Sequence, residues 1–121
     1  MTFTIPGVAV PKARARTGKG HAYTPARTKA YESKVKMLAL KARQEARLKP
    51  FQGDVRVRVE IWGLKRGDIT NVTKAIEDAM NGVIYEDDRQ IQYIETERFD
   101  CERPDERPMA PHTNVTVEES P

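Results

Sequence analysis

Val55, Val57, Val59 and Ile61 alternate with Arg56, Arg58, Glu60 and Trp62. That period of two describes a strand with one apolar face, which must be covered by a second layer. A helix follows directly afterwards. Past a turn at Lys65 to Gly67, the residues Val72, Ala75, Ile76, Ala79 and Met80 mark one face of a helix, and Asn81-Gly82 ends it.

The remaining elements follow the same rules. Phe3, Ile5 and Val8 suggest a short first strand broken by Pro6 and Gly7. Thr24-Pro25 reads as an N-cap with proline at the first helical position. Tyr31, Val35, Leu38 and Ala42 then recur at helical spacing, which predicts a first helix from about 25 to 47. Val83-Ile84-Tyr85 leads into an acidic turn, and Gln90 to Phe99 reads as a strand with a bulge near Tyr93-Ile94. Glu102 to His112 is a charged, proline-bearing arm, and Val115 with Val117 predicts a last short strand. Trp62 falls on the outer phase of its strand, where it covers an edge or meets a partner. The expected fold is α+β, a single domain over residues 1–121 with one mixed sheet and two main helices.

Charge is divided unevenly along this frame. Residues 1–50 hold twelve Lys/Arg against two acids, a net of +10, whereas residues 51–121 hold nine against sixteen, a net of −7. The first half suits a polyanion and the second suits cations. Within the basic loop and helix of about 11–47, the candidate DNA-binding residues are Lys12, Arg14, Arg16, Lys19, Tyr23 and Arg27. Flexible cationic loops with an aromatic able to stack match a phosphate backbone. The single cysteine, Cys101, excludes an internal disulfide and fits a reducing cytoplasm. No apolar run reaches the roughly 18 residues of a membrane span, and Met1 to Ile5 lacks a signal-peptide pattern. A soluble cytoplasmic protein is expected.

The acidic half concentrates its chemistry between residues 67 and 91. Asp68 opens the second helix, Lys74 lies one turn past Thr70 on the same side, Asp78 lies a further turn on, and Glu86-Asp87-Asp88 follows the helix. Carboxylates from a helix start and a nearby turn can hold a divalent metal, and an adjacent ammonium can neutralise a phosphate. Asp68 or Asp87 taken singly can equally be a helix cap or a turn acid. Phosphodiester hydrolysis needs a barrier reduction of about 15 kcal/mol or more, for which one or two magnesium ions are an economical source.

Three segments carry a family resemblance. Asp68-Ile69-Thr70-Asn71-Val72-Thr73-Lys74, Asp78-Ala79-Met80-Asn81-Gly82 and Asp87-Asp88-Arg89-Gln90-Ile91 resemble the D-x-D-N-x-x-K, D-A-L-N-G and D-D-x-Q-[IV] segments of the RusA-type Holliday-junction resolvases. Ile5-Pro6-Gly7, Val10-Pro11-Lys12 and Tyr23-Thr24-Pro25 resemble that family's opening, so the similarity spans roughly residues 3 to 99. The resemblance implies a homodimeric endodeoxyribonuclease of recombination and repair that cuts four-way DNA junctions symmetrically with Mg2+ or Mn2+. It implies Asp68, Asp87 and Asp88 as metal ligands, with Asp88 the stronger of the last two, and Lys74 as the group that stabilises the phosphate or transition state.

The second acid of the family's D-x-D-N is Thr70 in this chain. A threonine at a helix start can cap the helix or hold a metal-bound water, but it brings no charge. The site then works with a rearranged ligand, drawing on Asp78 or Glu86, or it cuts slowly. Otherwise the chain binds branched DNA without cutting it. An RNA-binding protein ranks low, because the aromatic strand motifs of the common RNA-binding folds are absent from the sequence.

Overall fold

A computed structural model describes residues 1–13, 25–102 and 109–121, together with the backbone of 16–18 and 21–23. The elements are β1 (Thr2–Pro6), β2 (Arg16–Gly18), β3 (His21–Tyr23), α1 (Ala26–Glu45), β4 (Val55–Trp62), α2 (Ile69–Met80), β5 (Ile91–Phe99) and β6 (His112–Glu119). A 3-10 turn, Asp88–Gln90, leads into β5. The main sheet has the order β1-β6-β4-β5, and β2 with β3 forms a separate antiparallel pair. β4 runs parallel to β5 and antiparallel to β6, so the sheet is mixed and the fold is α+β.

The alternation in β4 decides which face is covered. Val55, Val57, Val59 and Ile61 are buried and join one cluster with Val35 and Ala39 of α1 and Val72, Ile76 and Met80 of α2. Both helices therefore lie on the same side of the sheet. Burying one such aliphatic side chain stabilises the fold by roughly 1.5–3 kcal/mol. The crossover from β4 through α2 to β5 carries the acidic segment.

Several expectations change against this structure. β6 is eight residues long and lies between β1 and β4. Its buried phase is Thr113, Val115 and Val117, so a polar first member hides the strand's length from a hydrophobic pattern. Trp62 belongs to the interior strand β4 and stacks on Phe99 of the edge strand β5 at 4.4 Å and on His112 of β6 at 5.7 Å. The bulge expected near Tyr93 is present and falls at Gln92, since Ile91 faces Val55 and Tyr93 faces Arg56. α1 starts at Ala26 with Pro25 as its N-cap residue and no side-chain cap, and Thr24 lies outside the described residues. The pair β2 and β3 falls in the segment read from sequence as a loop.

Candidate active site

Asp68 stands at the N-terminus of α2 because of the turn before it. Gly67 has φ +120°, where a side chain would be strained, and a Cβ there would stand 3.0 Å from Pro11 Cγ. The Arg98 guanidinium donates to the Gly67 carbonyl and fixes this turn against β5. Asp68 then caps the helix, its Oδ1 accepting the Thr70 N–H at 2.8 Å. The cap belongs to Asp68 rather than to Thr70, whose side chain is exposed. Asp68 Oδ2 takes no hydrogen bond among the described residues.

Further along α2 the charges converge. Lys74 Nζ lies 3.4 Å from Asp78 Oδ1, 3.9 Å from Asp88 Oδ2 and 4.0 Å from Glu77 Oε2. Three carboxylates thus surround one ammonium. Burial pushes the Glu77 carboxyl above its usual range against the pull of Lys74, and the charges of Asp78 and Asp88 add to the rise. Tyr85 packs beneath this group and donates to the Glu77 carbonyl at 2.8 Å. Its phenol is pushed up first by burial and then by the charges of Glu77, Asp88 and Asp78. Glu77 was not singled out from sequence, although its spacing of three from Lys74 places it on the same helix face.

The acidic turn is held by Gln90. Its Oε1 accepts the Glu86 and Asp87 N–H groups at 2.8 and 2.9 Å, and its Nε2 donates to the Phe51 and Gly53 carbonyls at 2.8 Å each. Asp87 accepts the Arg89 N–H at 2.9 Å and pairs with the Arg89 guanidinium at 3.2 Å, and these contacts hold its carboxyl below the usual range. Asp87 is thereby committed to capping the 3-10 turn, whereas Asp88 faces Lys74. The exposed Glu86 side chain takes part in none of these contacts. Gln90→Ala removes four hydrogen bonds, each worth about 1 kcal/mol net. A loss of about 2–4 kcal/mol in urea unfolding is expected, together with slower function through a displaced Asp88; an unchanged midpoint would refute this anchoring.

Two of the acids implied by the resemblance meet α2 differently, Asp68 as its N-cap and Asp88 through Lys74. Asp68 begins the helix, and ten residues later, about 15 Å of helical rise, Asp78 lies beside the ammonium that faces Asp88. No ion pair joins Asp68 to that cluster among the described residues. Likewise no three of His, Cys, Asp and Glu among the described residues close into a metal cage. The donors are nevertheless hard carboxylate oxygens of the kind magnesium and manganese take. Magnesium keeps several waters and needs only one or two carboxylates plus a substrate phosphate. Asp68 keeps one oxygen that takes no hydrogen bond among the described residues, and Asp88 is held facing Lys74, so both fit that role.

A cationic trough reaches Gly67, the residue before Asp68. Its volume is 790 Å³, it runs between residues 8–11, the first turn of α1 and the 63–67 turn, and Arg27, Lys65, Arg66, Val8, Pro11 and Gly67 are among its lining residues. From sequence Lys65 and Arg66 read only as turn residues. Lys12 is bound by two carboxylates, Glu32 at 3.2 Å and Asp78 closer still, and its contact with Asp78 chiefly raises its pKa. Arg14 and Lys19 lie outside the described residues, as do the side chains of Arg16 and Tyr23. No helix among the described residues is long and apolar enough to cross a membrane.

Comparison with known proteins gives a family match over nearly the whole chain. The family model for endodeoxyribonuclease RusA matches residues 6–118. The uncharacterized protein YqaN of Bacillus subtilis (strain 168) is 29% identical over 126 residues, covering 84% of this chain and 89% of that protein.

Proposed function

The chain belongs to the RusA endodeoxyribonuclease family, and from that premise we propose that it is a homodimeric, divalent-metal-dependent endonuclease that resolves four-way DNA junctions in the cytoplasm. The observation that carries the reading is Lys74 held opposite Asp88 on a helix that Asp68 caps. Asp68 and Asp88 would hold Mg2+ or Mn2+, while Asp87 serves the turn. A bound divalent cation supplies polarisation of the phosphate and a water of lowered pKa. Lys74 offers a fixed positive charge to the phosphate oxygens as negative charge develops on them. Arg27, Lys65 and Arg66 line a path for a DNA strand through backbone charge, without base identity.

No ion pair joins Asp68 to the cluster around Lys74 among the described residues, which gives the dimer a specific role. A two-fold axis crossing α2 would present the same helix reversed in the partner. Asp88 of one copy would then meet Asp68 of the other, giving two sites for the two equivalent phosphates of a junction. Mixing and reannealing Asp68→Asn with Asp88→Asn tests this arrangement. Random pairing makes half the dimers mixed, each with one intact shared site, so about a quarter of parental nicking should return. Sites contained within single protomers would return none.

A second reading is favoured by Thr70. With no charge at that position the chain would hold branched DNA and cut it weakly or not at all. Metal-dependent product from a junction separates the two readings, because both use the same cations to bind.

A further inference from the structure

A run of alternating charges joins α1 to the acidic turn. Glu32 of α1 pairs with Lys12 at 3.2 Å, Lys12 pairs with Asp78 Oδ2, Asp78 Oδ1 lies 3.4 Å from Lys74, and Lys74 lies 3.9 Å from Asp88. Asp78 is the centre of this run, with one oxygen on each ammonium. The backbone repeats the connection: Lys12 N–H donates to the Asn71 carbonyl of α2 at 2.9 Å, and Ala13 N–H donates to Thr28 Oγ1 of α1 at 3.4 Å. Residues 12 and 13 are the last described residues before the β2–β3 pair, so the root of the basic segment is clamped between both helices.

A lysine available to a phosphate keeps its ammonium exposed, as Lys74 does with a side chain 50% exposed and carboxylates no nearer than 3.4 Å. Lys12 instead has two carboxylates, and its side chain is 31% exposed. We propose that Lys12 and Asp78 are a positioning pair: Lys12 holds Asp78, Asp78 sets Lys74 opposite Asp88, and the same contact ties that geometry to the root of the basic segment. The proposal rests on the nuclease reading for its catalytic consequence. Without Lys12, Asp78 has Lys74 as its remaining ammonium, and the i,i+4 pair is free to turn away from Asp88. Displacement of about 1 Å at a reacting group can cost up to about a hundredfold in rate.

A cycle of Lys12→Met, Asp78→Asn and the double variant, with Lys12→Arg as the conservative control, tests the pair. Single-turnover junction cleavage should fall roughly ten- to a hundredfold in each single variant, with the double variant no worse than the poorer single. Lys12→Arg should recover most of the rate. Junction binding in EDTA should keep the parental dependence on salt in Lys12→Met. If Lys12 meets a phosphate, the slope of log affinity against log salt falls by about one, and the proposal is overturned. Additive losses in the double variant overturn it as well.

A readout that needs no catalysis is trypsin nicking at Arg14, Arg16 and Lys19, followed by mass spectrometry. Both single variants should be nicked faster than the parent, to the same extent as the double; parental rates in both overturn the clamp. If the parent protein cuts no junction, the nuclease reading fails, while the salt slope and nicking rates still decide whether Lys12 and Asp78 act as a pair.

Discussion

Asp88→Asn should lower single-turnover cleavage of a four-way junction by on the order of 10³-fold, the rate equivalent of about 4 kcal/mol of lost transition-state stabilisation. The substitution keeps the shape of the side chain and removes its charge. Asp88 begins the 3-10 turn, whose position Gln90 fixes through four hydrogen bonds, so the turn should survive the change. Lys74 keeps Asp78 at 3.4 Å and Glu77 at 4.0 Å. Junction affinity in EDTA should stay within about threefold of the parent or improve, because one repulsive charge toward the phosphates has gone. Cleavage at the parental rate would remove Asp88 from the site. Loss of binding together with cleavage would point to a disturbed turn instead.

Thr70→Asp should move activity in the other direction. Thr70 is the second residue of α2, its side chain is exposed, and its N–H is already taken by Asp68. A carboxylate fits there without repacking, and the helix N-terminus favours a negative charge by about 0.3–1 kcal/mol. Repulsion from Asp68 two residues away opposes that gain until a cation is bound. The expected result is a magnesium requirement lowered by roughly tenfold, or a cleavage rate raised by a similar factor, about 1.4 kcal/mol in either case. An unchanged magnesium dependence would mean that another group already serves where the family's second acid stands.

The legible parts of the fold are those in which a covered face imposes a period. β4 and α2 follow from Val55 to Ile61 and from Val72 to Met80, because each element buries one side in the same cluster. β6 was underestimated because Thr113 begins its buried phase and the outward residues His112, Asn114 and Thr116 are polar. Its extent comes from backbone pairing with two neighbours, which side-chain pattern does not report. The β2–β3 pair lies in a run of glycines and cations with no apolar alternation to announce it.

At the candidate site, the residue types were legible and their partners were not. Asp68 and Asp87 each allowed a capping or a metal-holding reading, and both are caps in the fold. The two roles remain compatible for Asp68, which keeps an oxygen, more than for Asp87, whose two oxygens are engaged by Arg89. Lys12 was grouped with the other cations of its segment because local sequence contains nothing acidic near it. Its carboxylates come from 20 and 66 residues away. The meeting of Asp88 with Lys74 is likewise a product of the turn that follows α2, which local sequence does not report.

The most direct measurement is cleavage of a synthetic four-way junction beside a linear duplex of the same sequence, in magnesium and in EDTA, with strand ends mapped at nucleotide resolution. Paired nicks on two opposed strands of the junction, dependent on magnesium and absent from the duplex, are expected. Tight junction binding with no nicks in magnesium or manganese would contradict the nuclease assignment and leave a branched-DNA-binding protein of the same fold.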